Sequence, residues 1–406
     1  MVVQMTRQEA YIVEAKRTPV GRYGGALSEV RPDDMSALVI RTVVERSGID
    51  PAAIDDVLWG CANQAGEDNR NVGRMAVLLA GLPDSVPATT VNRLCGSSLD
   101  AVNFAARAIW SGDCKAVLAG GVESMSRAPY SVPKNRSGGF GNLTAYDTAL
   151  GWRYPNPRME QRIPLESMGE TAENIAVKFS VPRAAQDAYA AESHARAVAA
   201  KERFAEEILP VEIARKKGPA LTVGSDEGPR PDTSPEKLAA LPPVFKKNGT
   251  VTAGNSSSLN DGAAALLVVG EDVLRSLKAD PIARIVSTGV AGVDPRYMGL
   301  GPIPASEMAL RKAGLTIGQM DLVELNEAFA VQSLVVIERL GASRSVVNVN
   351  GGAIALGHPL GCSGARILTT LVHEMERRKS RYGLATMCIG VGQGIATIVE
   401  NMSRKN

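Results

Sequence analysis

The sequence predicts an α/β layered fold built from two related copies, with a loop-rich segment inserted between them. Three observations predict it. Short β-branched runs alternate with Ala-rich helical patterns, the texture of an α/β protein. From Ser126 to about residue 250, clusters of Pro and Gly interrupt that alternation. The alternation then returns and echoes the first half in the same order. At about 100–200 residues per domain, 406 residues leave room for several cores.

Along the first copy, Ala10–Ala15 reads as a strand, Asp33–Ser47 as a helix and Asp55–Trp59 as a strand. Asn71–Ala80 is a helix, Thr89–Val91 a strand, Ser97–Ile109 a helix and Ala116–Ala119 a strand. Such alternation implies a largely parallel sheet. Pro and Gly then gather at Pro129–Gly141, Tyr154–Pro164 and Lys217–Pro243, around one helix, Arg183–Arg203. Loops of that length in a compact protein are usually functional. In the second copy, Asp321–Asn326 echoes Asp56–Cys61, and Gly383–Gly390 echoes Ala116–Gly121. Between them Val349–Gly352 echoes Val91–Gly96, and a Gly-rich loop leads on to a helix at Ala365–Arg377.

Composition removes several functions. Lys plus Arg is 45 and Asp plus Glu is 43, so the net charge is +2. Nothing in that balance draws the chain to nucleic acid or to an anionic membrane. Aromatics at 4% do not supply base-stacking platforms. No apolar run approaches the roughly 18 residues of a membrane span. Met1–Arg17 alternates polar and apolar residues, unlike the apolar core of a signal peptide. The five cysteines, an odd number, point to reduced thiols in a cytoplasmic setting. No CxxC or HExxH spacing offers a metal site, so none is expected.

Chemistry must then come from Cys61, Cys95, Cys114, Cys362, Cys388, His194, His358 and His373, with carboxylates and backbone. Cys95 sits where a strand turns into a helix. A helix N-terminus favours the thiolate, and its free N–H groups can hold an oxyanion. The alternative is a small buried hydrophobe. His358 lies in the stretch Asn350–Gly364, which holds five glycines, on a turn rather than a helix face, and reads as the general base. His194 and His373 fall in helical patterns beside charged residues and read as surface groups. Cys388, at a Gly-rich strand end, reads as an accessible proton acceptor or a core thiol. Asn326, also at a strand end, could hold an oxyanion or cap the next helix. Cys61 and Cys114 read as packing thiols. The ligand edge of an open α/β sheet is where such strand ends collect, and two thiols, one His and one Asn suit covalent acyl transfer.

Taken together, several segments resemble the thiolase family of acetyl-CoA acyltransferases, nearly end to end. They are Glu14–Pro19, Val91–Gly96, Gly120–Ser126, Asn326–Ala330, Gly357–Pro359 and Cys388–Gly390. Gly60–Asn71 and Asp147–Asn156 resemble the branch of bacterial acetyl-CoA acetyltransferases and 3-oxoadipyl-CoA thiolases. The resemblance implies a duplicated α/β/α/β/α layered fold and three parts. These are an N-terminal half at 1–127 with 251–281, a loop domain at 128–250 and a C-terminal half at 282–406. It implies Cys95 as the acylated nucleophile, His358 as its activator and Cys388 as the second acid–base. Asn326, through a water, and His358 would form one oxyanion hole, and the Cys95 and Gly390 amides the other. Met168, Phe245, Ser257, Leu259, Ala328 and Phe329 match pantetheine and acyl-pocket positions. Coenzyme A (CoA) and acyl-CoA would be the partners, with no permanent cofactor, in a homodimer or homotetramer. The reaction implied is reversible cleavage of 3-oxoacyl-CoA by CoA, as in fatty acid β-oxidation. A 3-oxoadipyl-CoA thiolase of aromatic catabolism is the alternative; a decarboxylating ketosynthase fits less well, because it needs no second thiol. Departures from the family pattern include Ser98, Ser167, Gln393 and Cys362, and they leave the acyl range open.

Overall fold

The computed structural model describes residues 8–135, 139, 141–277 and 280–403. Part of the N-terminal segment read against a leader, and part of the Pro129–Gly141 cluster, lie outside the described residues. In the first copy, strand β1 (Ala10–Arg17) is followed by helix α1 (Pro32–Ser47), β2 (Asp56–Gly60), α2 (Val72–Ala80) and β3 (Thr89–Val91). Next come α3 (Ser97–Ser111) and β4 (Ala116–Ser124). The insert carries α4 (Met168–Lys178) and α5 (Arg183–Ala199). Then follow β5 (Asn260–Val269), β6 (Ala283–Gly292), α6 (Pro302–Ala313), β7 (Leu322–Leu325) and α7 (Ala330–Leu340). The chain closes with α8 (Leu360–Arg378), β8 (Tyr382–Ile389) and β9 (Gln393–Asn401).

The duplication is visible in the strand order. β1 and β6 pair antiparallel at the centre of a ten-stranded sheet. Outward from β1 the order is β5, β4, β2, β3; outward from β6 it is β9, β8, β7. A parallel bridge from Val323 of β7 to Val347 stands where β3 stands in the first copy. Pairing direction repeats too: antiparallel for the two inner steps, parallel for the outer ones. The expected largely parallel sheet is therefore a mixed one. β5 returns after the insert, and β8 and β9 form a hairpin closed by Gly390, Val391 and Gly392. A hairpin forces antiparallel pairing, and strand–helix alternation in sequence does not reveal it.

Three cores make five layers. Leu99, Val102 and Ile109 of α3 and Ile367, Leu368 and Leu371 of α8 fill the middle, between the two wings of the sheet. Helices α1 and α2 cover the outer face of one wing over Val57, Trp59 and Leu118. Helices α6 and α7 cover the other over Val323, Leu325 and Leu384. The central helices touch closely: a Cβ at Gly364 would lie 2.4 Å from the Leu99 nitrogen. Ser98 Oγ accepts the Ala365 N–H at 2.8 Å, tying the first turn of α3 to the second turn of α8.

The insert is clamped rather than loosely attached. Arg17, fully buried, donates to Glu207 at 2.6 Å and to both oxygens of Asp226 at 2.7 and 3.0 Å. Removing one partner of such a buried set costs about 3–5 kcal/mol. The insert helix ends at Ala199, earlier than the expected Arg203, and a short 3₁₀ turn at Arg203–Glu206 follows. No helix of the described residues is long and apolar enough to cross a membrane.

Candidate active site

Three strand ends and the Gly-rich loop meet in one place. After β3, Asn92 Oδ1 accepts the Leu94 N–H at 2.9 Å and Leu94 takes a left-handed φ of 47°. That tight turn leaves Cys95 one residue before Gly96, the N-cap of α3. The Gly390 amide and the Cys95 amide both hydrogen-bond the sulfur and favour the thiolate, yet burial outweighs them and pushes the thiol up to about 11. The expected lowering by the helix N-terminus is overridden by desolvation.

His358 is held by its surroundings on both sides. Gly357, at φ 109°, turns the chain so that the His358 N–H donates to Asn260 Oδ1 at 2.9 Å. Nδ1 lies 2.6 Å from Ser363 Oγ, and Ser363 Oγ donates to the Pro359 carbonyl at 2.9 Å. A hydroxyl has one proton. With that proton on Pro359 O, Nδ1 carries the imidazole proton and Nε2 keeps its lone pair. Burial first, then Arg366, lowers the imidazole to about 3.

Asn326 follows β7 directly. Its Nδ2 is 3.5 Å from His358 Nδ1 and 3.4 Å from Nε2, so the amide lies against the ring rather than along either lone pair. Its Oδ1 is buried with no hydrogen-bond partner among the described residues. The N-cap of α7 is Phe329, so Asn326 does not cap that helix. Cys388, at the end of β8, is 2% exposed, which corrects the accessible reading. Burial raises its thiol and so does Cys95, which places the two sulfurs within electrostatic reach.

Around Cys388, Ala328, Phe329, Val331 and Met298 form an apolar cluster, with Met168 and Phe245 at its rim. Phe245 packs edge-on to Phe329, with ring centroids 6.3 Å apart. A Cβ at Gly390 would lie 3.4 Å from Met168 Sδ. Ser257 joins the cluster through its N–H to the Ala328 carbonyl at 3.0 Å. The Leu259 carbonyl accepts the Tyr23 N–H at 3.1 Å.

Other expected groups land elsewhere. His373 is buried, with Nε2 2.9 Å from the Ala15 carbonyl; α8 is a central helix, so its charged neighbours do not mark a wet face. His194 is buried as well; its Nδ1 accepts the Arg230 N–H at 3.1 Å, and burial lowers it to about 4. Neither is the surface residue expected. Cys362 fills the central core at 1% exposure, and burial pushes it up to about 12. Cys61 is buried and Cys114 half-buried, both against apolar neighbours.

Three supporting residues escape sequence reasoning: Ser363, Asn260 and Glu123. Only Ser363 carries a local signal, a hydroxyl in the helix turn that follows His358. Glu123 is buried and accepts N–H bonds from Ala62 at 3.0 Å, Asn63 at 3.2 Å and Gly361 at 2.8 Å. It thereby ties the loop after β2 to the start of α8. Its carboxylate lies within 4.8 Å of potential ligand atoms of Cys61 and Asp68. Both its oxygens are occupied by those backbone donors.

A thiol, an imidazole, a second buried thiol and backbone amides lie at one sheet edge, a set of groups whose chemistry suits acyl transfer. The thiolase N-terminal domain matches residues 10–272 and the thiolase C-terminal domain matches residues 279–401. The chain belongs to the thiolase family. It is an acyltransferase that cleaves 3-oxoacyl-CoA by thiolysis. It is 53% identical over 400 residues to the 3-oxoadipyl-CoA/3-oxo-5,6-dehydrosuberyl-CoA thiolase of Escherichia coli K12, covering 97% of this chain and 100% of that one. The Bacillus anthracis acetyl-CoA acetyltransferase structure superposes with a TM-score of 0.92 at 40% identity, covering 98% of this chain and 99% of its own. Human mitochondrial 3-ketoacyl-CoA thiolase in complex with CoA superposes with a TM-score of 0.90 at 42% identity, covering 97% and 98%.

Proposed function

We propose that this thiolase acts on 3-oxoadipyl-CoA, yielding succinyl-CoA and acetyl-CoA. One observation carries the reading: near full-length identity is 53% to the E. coli thiolase named for that substrate and 51% to the beta-ketoadipyl-CoA thiolase of Acinetobacter baylyi, against 48% to the acetyl-CoA acetyltransferase of Thiocystis violacea and 40–42% to the Bacillus anthracis acetyl-CoA acetyltransferase and human 3-ketoacyl-CoA thiolase structures. The narrower substrate is thus better supported than a general acetyl-CoA acyltransferase role, and fatty acid β-oxidation gives way to aromatic catabolism.

In the proposed sequence, Cys95 attacks the C3 carbonyl and its proton passes to His358 Nε2. The Cys95 and Gly390 amides hold the oxyanion of the tetrahedral adduct. The C2–C3 bond breaks, and the electron pair leaves as the acetyl-CoA enolate, held by Asn326 and His358. Cys388 protonates that carbon. The Cys388 thiolate then takes the proton of incoming CoA, whose sulfur attacks the S-acyl carbonyl and expels the Cys95 sulfur, which recovers its proton from His358. CoA lies along Met168, Phe245, Ser257, Leu259, Ala328 and Phe329. No permanent cofactor takes part.

The same reading keeps the halves at 1–127 with 251–281 and 282–406, and gives 128–250 to CoA binding and oligomer contacts. Exposed Met75, Leu78 and Leu79 on α2 support association into a homodimer or homotetramer. Free thiols at all five cysteines support a cytoplasmic setting.

A thiolysis panel of acetoacetyl-, 3-oxohexanoyl-, long-chain 3-oxoacyl- and 3-oxoadipyl-CoA at fixed CoA tests the substrate. The highest kcat/KM is expected for 3-oxoadipyl-CoA; a higher value for acetoacetyl-CoA would reject the assignment. Cys95→Ala tests the nucleophile, with loss of the S-acyl adduct by mass spectrometry as the expected result.

A further inference from the structure

The two amides proposed to hold the thioester oxyanion come from opposite copies of the fold. Cys95 belongs to the turn between β3 and α3, and Gly390 to the hairpin turn between β8 and β9. The two segments touch directly. A Cβ at Gly390 would lie 3.5 Å from Leu94 Cδ1, and one at Gly96 would lie 2.5 Å from Ile389 Cδ1 and 3.2 Å from Ile395 Cγ2. Apolar contacts of this kind are non-directional. They hold the segments close, but they do not fix the angle at which two N–H groups converge.

A directional contact crosses the same seam. Arg93, two residues before Cys95, donates from Nη1 to Gln393 Oε1 at 3.0 Å. Gln393 pairs with Ile389 across the hairpin, so it is the first residue after the Gly390–Gly392 turn. The guanidinium is itself anchored, because its Nε donates to Asp100 Oδ2 at 2.6 Å. Asp100 is buried in the first turn of α3. The planar fork of one arginine thus joins the helix start behind the nucleophile to the hairpin that carries the second amide.

The hairpin turn needs such a hold. Val391 takes a φ of 63°, a left-handed conformation in which a β-branched residue is a genuine outlier. Strain of this kind costs about 1–3 kcal/mol and persists only where the surroundings impose it. Val391 is exposed, so its own side chain does little to impose it. On one side of the turn, the Gly392 carbonyl accepts the Val293 N–H at 2.8 Å. There too Gly394 packs on Gly301, with a Cβ at Gly394 placed 1.9 Å from the Gly301 carbonyl oxygen. Toward the nucleophile, the hold is Arg93 on Gln393.

We infer that Gln393, held by Arg93, is a positioning residue: it fixes the Gly390 amide against the Cys95 amide so that both meet the thioester oxygen. The inference rests on the oxyanion role given to those amides above, and not on the identity of the acyl chain. Gln393→Leu keeps the size and removes the acceptor. Arg93 stays paired with Asp100 and position 393 is partly exposed, so the variant folds. Its kcat for thiolysis is expected to fall about 10- to 100-fold with KM within about twofold, as for a misplaced oxyanion donor. Infrared difference spectra of the S-acyl enzyme, labelled with carbon-13 at the thioester carbonyl, supply a readout that a merely structural role would not move. The label is loaded from succinyl-CoA, or from the acyl-CoA product of whichever 3-oxoacyl-CoA the thiolysis panel favours. In wild type the carbonyl band is expected below the frequency of a free thioester, drawn down by two N–H donors. In Gln393→Leu it is expected to return part of the way. Gln393→Glu, which keeps an acceptor for Arg93, is expected to restore most of the rate and of the band shift. A wild-type band and a wild-type kcat in Gln393→Leu overturn the inference and leave the oxyanion reading standing. A wild-type enzyme whose band lies at the free-thioester frequency rejects the oxyanion role of the two amides, and the role of Gln393 with it.

Discussion

Cys95 and His358 occupy the same position in the two copies of the fold: each stands one residue before the N-cap of a central helix, Gly96 for α3 and Pro359 for α8. Duplication thus brings two helix N-termini to one point. Both fields favour the thiolate and disfavour the imidazolium. Burial acts on the two groups in opposite directions along the pH scale, raising the thiol to about 11 and lowering the imidazole to about 3. The resting pair is therefore neutral thiol and neutral imidazole, and in the proposed reaction the proton moves only as the sulfur attacks.

A consequence is a steep pH dependence of Cys95 alkylation. With a thiol near 11, the thiolate fraction should rise about tenfold per pH unit between pH 6 and 9. His358, already neutral above about 3, should add no limb near its ordinary value. Iodoacetamide inactivation, followed from pH 6 to 9, measures this directly. A plateau reached near pH 7 would instead mean a preformed thiolate–imidazolium pair.

Ser363 sets which imidazole nitrogen is free. Its single proton is donated to the Pro359 carbonyl, so its oxygen accepts Nδ1–H and the Nε2 lone pair is left free. Ser363→Ala removes that acceptor and frees the other tautomer. We expect kcat to fall about 10- to 100-fold, less than the roughly 100- to 10,000-fold of outright general-base loss because the imidazole itself remains, with KM nearly unchanged. Ser363→Thr should restore most of the rate. A kcat within twofold of wild type in the alanine variant would show that the tautomer is fixed by something else.

Gly357 has two reasons to remain glycine. Its φ of 109° is open only to glycine at low cost, and a Cβ there would lie 2.4 Å from the Asn260 side chain. That side chain is the anchor of the His358 N–H. Gly357→Ala should destabilise the fold by about 2–5 kcal/mol, adding backbone strain to overpacking. Urea unfolding measures the loss, and thiolysis should fall even where the variant is folded. Wild-type stability in that variant would contradict the turn described.

Sequence alone reveals most of what periodicity and local turns control. The strands, the central helices and the echo from Asp56–Cys61 to Asp321–Asn326 follow from short-range patterns, and the duplicated strand order bears the echo out. What it misreads is tertiary. His373 lies among charged residues in sequence, yet α8 is enclosed on nearly every face, with Glu374 bonded to Asn350 at 2.8 Å. The thiol of Cys95 looked activated by its helix, but desolvation depends on residues hundreds of positions away. Asn260 and Glu123 reach the site only through such distant contacts. No local pattern marks them.

Glu123 gives the last prediction, and its sign can be worked out. Burial raises its carboxyl to about 7 from 4.5, against the pull of the Gly361 and Ala62 amides. Between about pH 4.5 and 7 the folded protein therefore holds a proton that the unfolded chain releases. By linkage, this group's contribution to stability is greatest below about 4.5 and is lost as pH rises to about 7, by at most about 1.4 kcal/mol per unit. Other buried groups titrate in the same range, and His194 and His358 act with the opposite sign. Only the difference between wild type and Glu123→Gln isolates the carboxyl. The glutamine cannot titrate, and its NH2 faces a backbone donor, so at pH 5 the variant should be less stable by about 1–3 kcal/mol. That gap should narrow steadily toward pH 7, because only the wild type loses stability there. Urea midpoints at pH 5, 6 and 7 measure it, and parallel curves for the two proteins would place the Glu123 proton elsewhere.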